Sequence, residues 1–198
     1  MDKPFSQACE NNKRPILEVL QRVFVSPTKV LEIGSGTGQH AVFFAKALSH
    51  LVWQPTDLQV QLAGIAEWIN AEPQPNLLSP LALDIRGPEW PITDFDAVFS
   101  ANTAHIMAWD LTQKMIRQCG AKLPQGGIFA LYGPFNYQGR YTSDSNARFD
   151  QWLKSTATTQ GIRNFEDVVK VASEAGLLLL EDNAMPANNR LLVWKKSQ

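Results

Sequence analysis

Residues Val30 to Gly38 read VLEIGSGTG, and this stretch decides the fold. Val30, Leu31 and Ile33 form a short apolar run of the kind that is buried on both faces of a parallel sheet. Gly34, Ser35, Gly36, Thr37 and Gly38 follow as a tight turn. Ala41, Phe44, Ala45 and Leu48 then recur at i, i+3, i+4, i+7, one apolar face of a helix. Strand, glycine turn and helix together bring backbone N–H groups and a helix N-terminus against a nucleotide-type ligand. Glycine is required where a side chain would block that ligand or where φ is positive. The alternative is a merely structural strand-to-helix turn.

Upstream, residues 1–11 are polar and read as irregular, and Asn12 is expected to cap a helix with Pro15 in its first turn. Ile16, Leu17, Leu20, Val23 and Phe24 mark that helix's apolar stripe, which Ser26-Pro27 ends. Downstream, Leu51 to Trp53 begin a second strand that closes at Asp57. Leu58, Leu62, Ile65, Ala66 and Ile69 have helical spacing. Leu77 to Ile85 suggest a third strand, with Pro80 confining the pairing to its later half or to an edge. Phe95 to Ala101 form a fourth strand, and a helix is expected from His105 to Leu123 with Met115, Ile116 and Cys119 inward. Ile128 to Tyr132 are a fifth strand.

The polar, aromatic stretch Phe135 to Ser145 reads as a functional loop. Helices are expected over 147–155 and 164–175, the second with Phe165, Val168, Val169 and Ala172 on one face and Gly176 as its stop. Leu177–Leu180 and Leu191–Trp194 are the last two strands, joined through MPANN (Met185 to Asn189). So short a connection makes them antiparallel, because a parallel crossover needs a dozen or more residues. Alternating strands and helices otherwise argue a parallel sheet with helices on both faces.

With 198 residues, 44% hydrophobic and 19% charged, the chain reads as one globular domain. A formal net charge of −1 without a Lys/Arg block argues against a large nucleic-acid footprint. Cys9 and Cys119 belong to no CxxC, so neither a disulfide framework nor a zinc knuckle is expected. The N-terminus lacks a signal-peptide apolar core and no run is long enough to span a bilayer. A reducing cytoplasm is the expected setting.

In an open α/β sheet, ligands bind beyond the carboxyl ends of the strands. Glu32 lies within the glycine motif, Asp57 follows the second strand and Asp84 the third. There Asp57 can accept from a ribose diol and Asp84 from an adenine amino group. Each alone is also an ordinary turn or cap residue. The glycine spacing separates two cofactors. Gly34, Gly36 and Gly38 give G-x-G-x-G, with Gln39 in the place of the third glycine of the dinucleotide fingerprint. Glu32 would repel a pyrophosphate but suits a cation bearing an amino group and a sulfonium, which is S-adenosylmethionine.

EIGSGTG with Asp57 and Asp84 resembles a class I methyltransferase. ENNKRPIL (Glu10 to Leu17), the glycine motif running on to GQHA, WQPTD, ANTAHIM, YGPF, SNARFD, GIR and MPANN resemble the methyltransferase-like 26 family over nearly the whole chain. Its bacterial members are mostly labelled only as of unknown function. The resemblance implies a Rossmann-like three-layer α/β sandwich, with a seven-stranded, mostly parallel sheet and an antiparallel last strand. It implies a single class I methyltransferase-like domain over 1–198, in which the segment and helix of residues 1–27 can cover the cofactor. It also implies S-adenosylmethionine contacts from Glu32, Gly34, Ser35, Gly36, Gly38, Asp57, Asp84 and Asn102. The acceptor does not carry over. The chain departs from the family pattern between Thr156 and Asn164, with Asn164 where an acid is expected and Gln160 where a tryptophan is expected.

Methyl transfer is an in-line displacement in which positioning supplies much of the acceleration. A base matters only where the acceptor must lose a proton. His105, just past the fourth strand, is the candidate catalytic residue; the alternative is a helix cap or packing role. Tyr132 and Phe135 could wall the acceptor or simply pack. His40 and His50 read as surface or helix residues, and the three histidines show no metal-binding spacing. Ala101-Asn102-Thr103-Ala104 lacks the Asn/Asp-Pro-Pro-aromatic motif of adenine and glutamine methyltransferases. The reading is therefore an S-adenosylmethionine-dependent methyltransferase acting on a small-molecule or protein acceptor, with neither nucleic acid nor membrane as a partner. A non-catalytic module that binds the cofactor or a partner is the runner-up, and a nicotinamide-dependent oxidoreductase is third.

Overall fold

The computed structural model describes residues 3–197. Two compact units divide the chain, Met1–Ser100 and Ala101–Gln198. In the first, helix α1 (Gln7–Val23) starts well before Asn12. Ser6 is the cap, its hydroxyl accepting from Cys9 N at 3.4 Å. Pro15 therefore sits inside the helix, where it removes a backbone donor rather than opening the first turn. The polar residues 7–11 were expected to be irregular; the Ser6 cap and the bonds they make to the next helix keep them helical. Ile16, Leu20 and Phe24 are buried together with Val19, whereas Leu17 and Val23 are only half-buried.

Strand β1 (Lys29–Ile33) is anchored at its start by Asp96, whose carboxylate accepts from Thr28 N, Thr28 Oγ1 and Lys29 N, each at 2.9 Å. Helix α2 (Gln39–Ala47) buries Ala41, Phe44 and Ala45, with Leu48 just beyond, as their spacing requires. β2 (Val52–Asp57) runs parallel to β1. Leu58 is exposed and precedes a short 3₁₀ turn, so α3 (Leu62–Ala71) begins later than the spacing suggested. β3 (Leu81–Ala82) pairs in parallel with the end of β2, starting immediately after Pro80, which has no N–H to give. β4 (Ala97–Ala101) lies parallel to β1.

In the second unit, α4 (Trp109–Lys122) starts beyond His105, which lies instead in a turn where Ile106 N and Met107 N donate to Thr103 O. Met115, Ile116 and Cys119 face inward as expected. β5 (Ile128–Gly133) is buried along its length. The stretch after it is not all loop: β6 (Phe135–Asn136) pairs in parallel with β7 (Arg163–Asn164). Between them lies α5 (Asp144–Thr156), capped by Ser143 Oγ accepting from Asn146 N at 3.1 Å. α6 (Phe165–Glu174) buries Val168, Val171 and Ala172; Val171 takes the inner place expected of Val169, and Gly176, at φ +75°, follows the helix end. β8 (Leu177–Met185) and β9 (Asn189–Lys196) form the antiparallel hairpin, with β9 also antiparallel to β5. The sheet has seven strands in the order β3-β2-β1-β4-β5-β9-β8, a Rossmann-like α/β arrangement in which β9 runs against its neighbours.

Gly120 on α4 shows how closely the helices of the second unit approach: a Cβ there would fall 2.7 Å from Ala175 Cβ at the end of α6. In an exposed helix Gly→Ala stabilises by about 1 kcal/mol. Here the sign is expected to reverse, with Gly120→Ala losing about 1–3 kcal/mol to overpacking in urea unfolding. A stabilised variant would show that the two helices separate at no cost.

Candidate functional site

The glycine turn of the first unit is tied to the end of β2. Gly34 N and Ser35 N donate to Thr56 O at 2.9 and 3.0 Å, Thr56 N donates to Ser35 Oγ at 3.2 Å, and Thr56 Oγ1 donates to Glu32 O at 2.6 Å. Asp57 adds a carboxylate clamp, accepting from Gly36 N and from Leu58 N, both at 2.7 Å. Each carboxylate oxygen has a second lone pair, so the clamp leaves acceptor capacity for a diol. Burial raises the Asp57 carboxyl above its ordinary value, and the two N–H groups pull it back down. Gly36 and Gly38 hold φ at +58° and +91°; a Cβ on Gly36 would meet nothing within 4 Å, so the turn has an open face there.

Glu32 lies under this turn and is 1% exposed. Its Oε2 accepts from Trp53 Nε1 at 2.9 Å. Burial pushes the carboxyl up to about 7, against the hydrogen bonds from Trp53 and Ser35 and with the charge of Asp57 adding to the rise. Among the described residues, no cationic side chain contributes to that shift. Asp84 has a different setting, on an exposed turn, where its oxygens accept from Arg86 Nε and Nη2 at 3.0 and 2.6 Å.

Gln39, legible in the sequence only as a missing third glycine, fastens α1 to the turn. Its Oε1 accepts from Ser6 N at 2.6 Å and Thr37 Oγ1 at 3.0 Å, and its Nε2 donates to Glu10 Oε1 at 2.7 Å. His40 is not a surface residue: it is buried, hydrogen-bonded to Asn12 Oδ1 at 2.7 Å and stacked on Phe44. Burial and the charge of Lys13 lower it to about 4. Trp68 Nε1 donates to Pro4 O at 2.6 Å and Lys3 Nζ sits over the same indole, so the chain from residue 3 onward is held against α2 and α3. The polar run ENNK was the available signal for this anchorage. His50 bonds Phe24 O at 2.8 Å.

In the second unit, Asn102 takes a left-handed φ of +58° and donates N–H to Tyr132 O at 2.9 Å. His105 is 6% exposed, with Phe149 edge-on to its ring at 5.4 Å. Burial, then the charge of Arg163, lowers it to about 4, so it is neutral at pH 7. Arg163 braces the turn that carries it, donating to the carbonyls of Ala104, Met107 and Thr159. Gly161 N donates to His105 O at 2.9 Å. The segment 161–163 is in turn anchored on fully buried Asp150, which accepts from Ile162 N, Tyr141 Oη and Lys154 Nζ. Tyr132 is buried and Phe135 completely so. Among the described residues no helix is long and apolar enough to cross a membrane, and no group of three or more His, Cys, Asp or Glu could hold a metal ion.

Residues 3–196 match the family described as "Protein of unknown function (DUF938)". Several solved structures share the fold. The S-adenosylmethionine-dependent methyltransferase SibL, in its apo form, aligns with a TM-score of 0.81 at 20% identity, over 96% of this chain and 56% of that one. An O-methyltransferase family protein from Burkholderia thailandensis aligns at 0.80 and 18% identity, over 94% and 56%. Human N-acetylserotonin methyltransferase in complex with S-adenosylmethionine aligns at 0.81 and 13% identity, over 97% and 53%. The chain thus spans little more than half the length of each, and at these identities the likeness establishes the shared fold alone.

A carboxyl raised from 4.5 to about 7 binds more protons folded than unfolded between those values. Ionisation therefore adds no cost well below pH 4.5, and the cost grows until it is complete above pH 7. Glu32→Gln is expected to stabilise the ligand-free protein by about 3 kcal/mol at pH 8 and by about 1 kcal/mol at pH 5.5, read by urea unfolding. A gap that does not change with pH would show that Glu32 is ionised at ordinary cost.

Proposed function

The chain belongs to the DUF938 family, and we propose that it is an S-adenosylmethionine-dependent methyltransferase acting on a small-molecule or protein acceptor in the cytoplasm. The observation that carries this is the buried Glu32 carboxylate, without a cation of its own, beside a glycine turn with an open face. A pyrophosphate would meet a like charge there, whereas a sulfonium and an amino group would supply the missing positive charge. The resemblance to the methyltransferase-like 26 family points the same way.

On this reading Glu32 balances the cofactor's charge, and Gly34, Ser35, Gly36 and Gly38 let it approach the backbone. Asp57 accepts from the ribose diol. Asp84 and Asn102 are assigned further contacts, as the resemblance implies. The N-terminal segment and helix of residues 1–27, whose described part is held by Gln39 and His40, cover the bound cofactor as part of one methyltransferase domain. When bound, the cofactor supplies a methyl group on a cationic sulfur. His105 is assigned to the acceptor side; as a neutral imidazole it accepts a hydrogen bond readily, but with a pKa near 4 it removes protons poorly. Orientation of the acceptor is thus its larger contribution. The burial of His105 against Phe149, which makes it a weak base, favours the second reading, a module that binds the cofactor without transfer.

Calorimetric titration with S-adenosylhomocysteine is expected to show binding. Asp57→Ala is expected to weaken it by about 1–3 kcal/mol, the cost of unpaired polar partners, and Asp57→Asn by less. No heat at millimolar ligand overturns the proposal, and unchanged affinity in Asp57→Ala removes Asp57 from the contact. Methyl turnover from labelled cofactor in a cell extract separates the enzyme from the silent module.

A further inference from the structure

Among the described residues, none is hydrogen-bonded to the buried imidazole of His105. Its exposure is 6%, its ring meets Phe149 edge-on, and neither ring nitrogen bonds to any described residue. A buried polar group left unpaired is costly unless something else satisfies it. The two enclosed, unpaired side-chain atoms among the described residues are Asn136 Oδ1 and Trp194 Nε1; the His105 nitrogens are not enclosed in that way. They are unpaired yet reachable.

What lies beside the imidazole is aromatic. Phe149 and Trp152, one turn apart on α5, present nearly parallel rings, 14° apart with centroids 5.8 Å from one another. Trp152 is 58% exposed. From His105 outward, the rings pass from buried to half-buried to open. Such a shelf offers area to a flat ring, and its inner end offers one acceptor nitrogen. The shelf is rigidly backed: Asp150, between Phe149 and Trp152 in the chain, is fully buried and bonds Ile162 N, while Gly161 N holds His105 O.

We propose that His105, Phe149 and Trp152 form a binding site for a small planar aromatic molecule bearing a hydroxyl or amine, whose N–H or O–H donates to the His105 ring while its own ring lies along the Phe149–Trp152 shelf. That this molecule is the methyl acceptor rests on the methyltransferase reading; that it binds does not. The imidazole is neutral at pH 7, so one ring nitrogen is an acceptor there.

Phenol and anisole share a ring and differ in the donor, because anisole carries a methyl group in place of the hydroxyl hydrogen. Ligand-observed NMR titration of the whole protein, with and without S-adenosylhomocysteine, is expected to show phenol binding at least fivefold more tightly than anisole. His105→Phe is expected to bring the two within twofold of each other. Trp152→Ala, at an exposed position that leaves the core intact, is expected to weaken both at least threefold and to keep their ratio. Equal affinities in the native protein, a preference surviving in His105→Phe, or no binding of either probe overturns the proposal. Phenol preference in a protein that gives no heat with S-adenosylhomocysteine supports the site and overturns the methyltransferase reading; heat without phenol preference overturns the site alone.

Discussion

An ionisable carboxyl enclosed without a cation is the constraint on which the first unit depends. Glu32 has one indole hydrogen bond and an adjacent turn rich in N–H groups, and burial still lifts it to about 7. A stability-driven design would place an apolar residue there, because a lone buried charge is expensive. Much around it is arranged to make the carboxyl tolerable. Trp53 donates to it, and Thr56 fixes its backbone carbonyl. The glycine turn above it is bound to Thr56 and Asp57 rather than left free.

The same turn bears a second load, the attachment of α1. A third glycine would admit a dinucleotide close to the helix. Gln39 in its place spends its amide on Ser6 and Glu10, and His40 reaches Asn12. The residue that departs from the dinucleotide pattern is thus the one that fixes the N-terminal helix. The turn and the N-terminal helix are thus fastened to one another through these side chains.

Much of this was legible from residue spacing, and the misses have physical causes. The period of two or of 3.6 marks where a side chain must be buried, so the strand order of events, the inner face of α4 and the closing hairpin could be read directly. Caps are decided by single hydrogen bonds, and so the start of α1 at Ser6 and the delay of α4 to Trp109 escaped. Val169 and Val171 are equivalent by type, and only packing selects the latter. His40 does lie on a helix, one of the two places its type allows, but its burial could not be read, because the partner that satisfies it stands 28 positions earlier. The turn carrying His105 depends on Arg163 and Gly161, far along the chain, and no local pattern announces that dependence.

The titrating groups on which these arrangements rest pull in opposite directions. His40 and His105 are held neutral in the fold, near 4 against an ordinary 6.5. Between those values the unfolded chain binds the extra protons, so holding them unprotonated costs nothing above pH 6.5 and is a growing liability as pH falls toward 4. Glu32 works the other way, becoming a liability as pH rises to 7 and beyond. The Glu32 cost thus rises over the same range in which the histidine cost falls, and the loss on acidification below pH 6.5 belongs to the histidines. A cation bound beside Glu32 would lower that carboxyl's pKa and so relieve its cost at neutral pH, leaving the acid-side loss that the two histidines set.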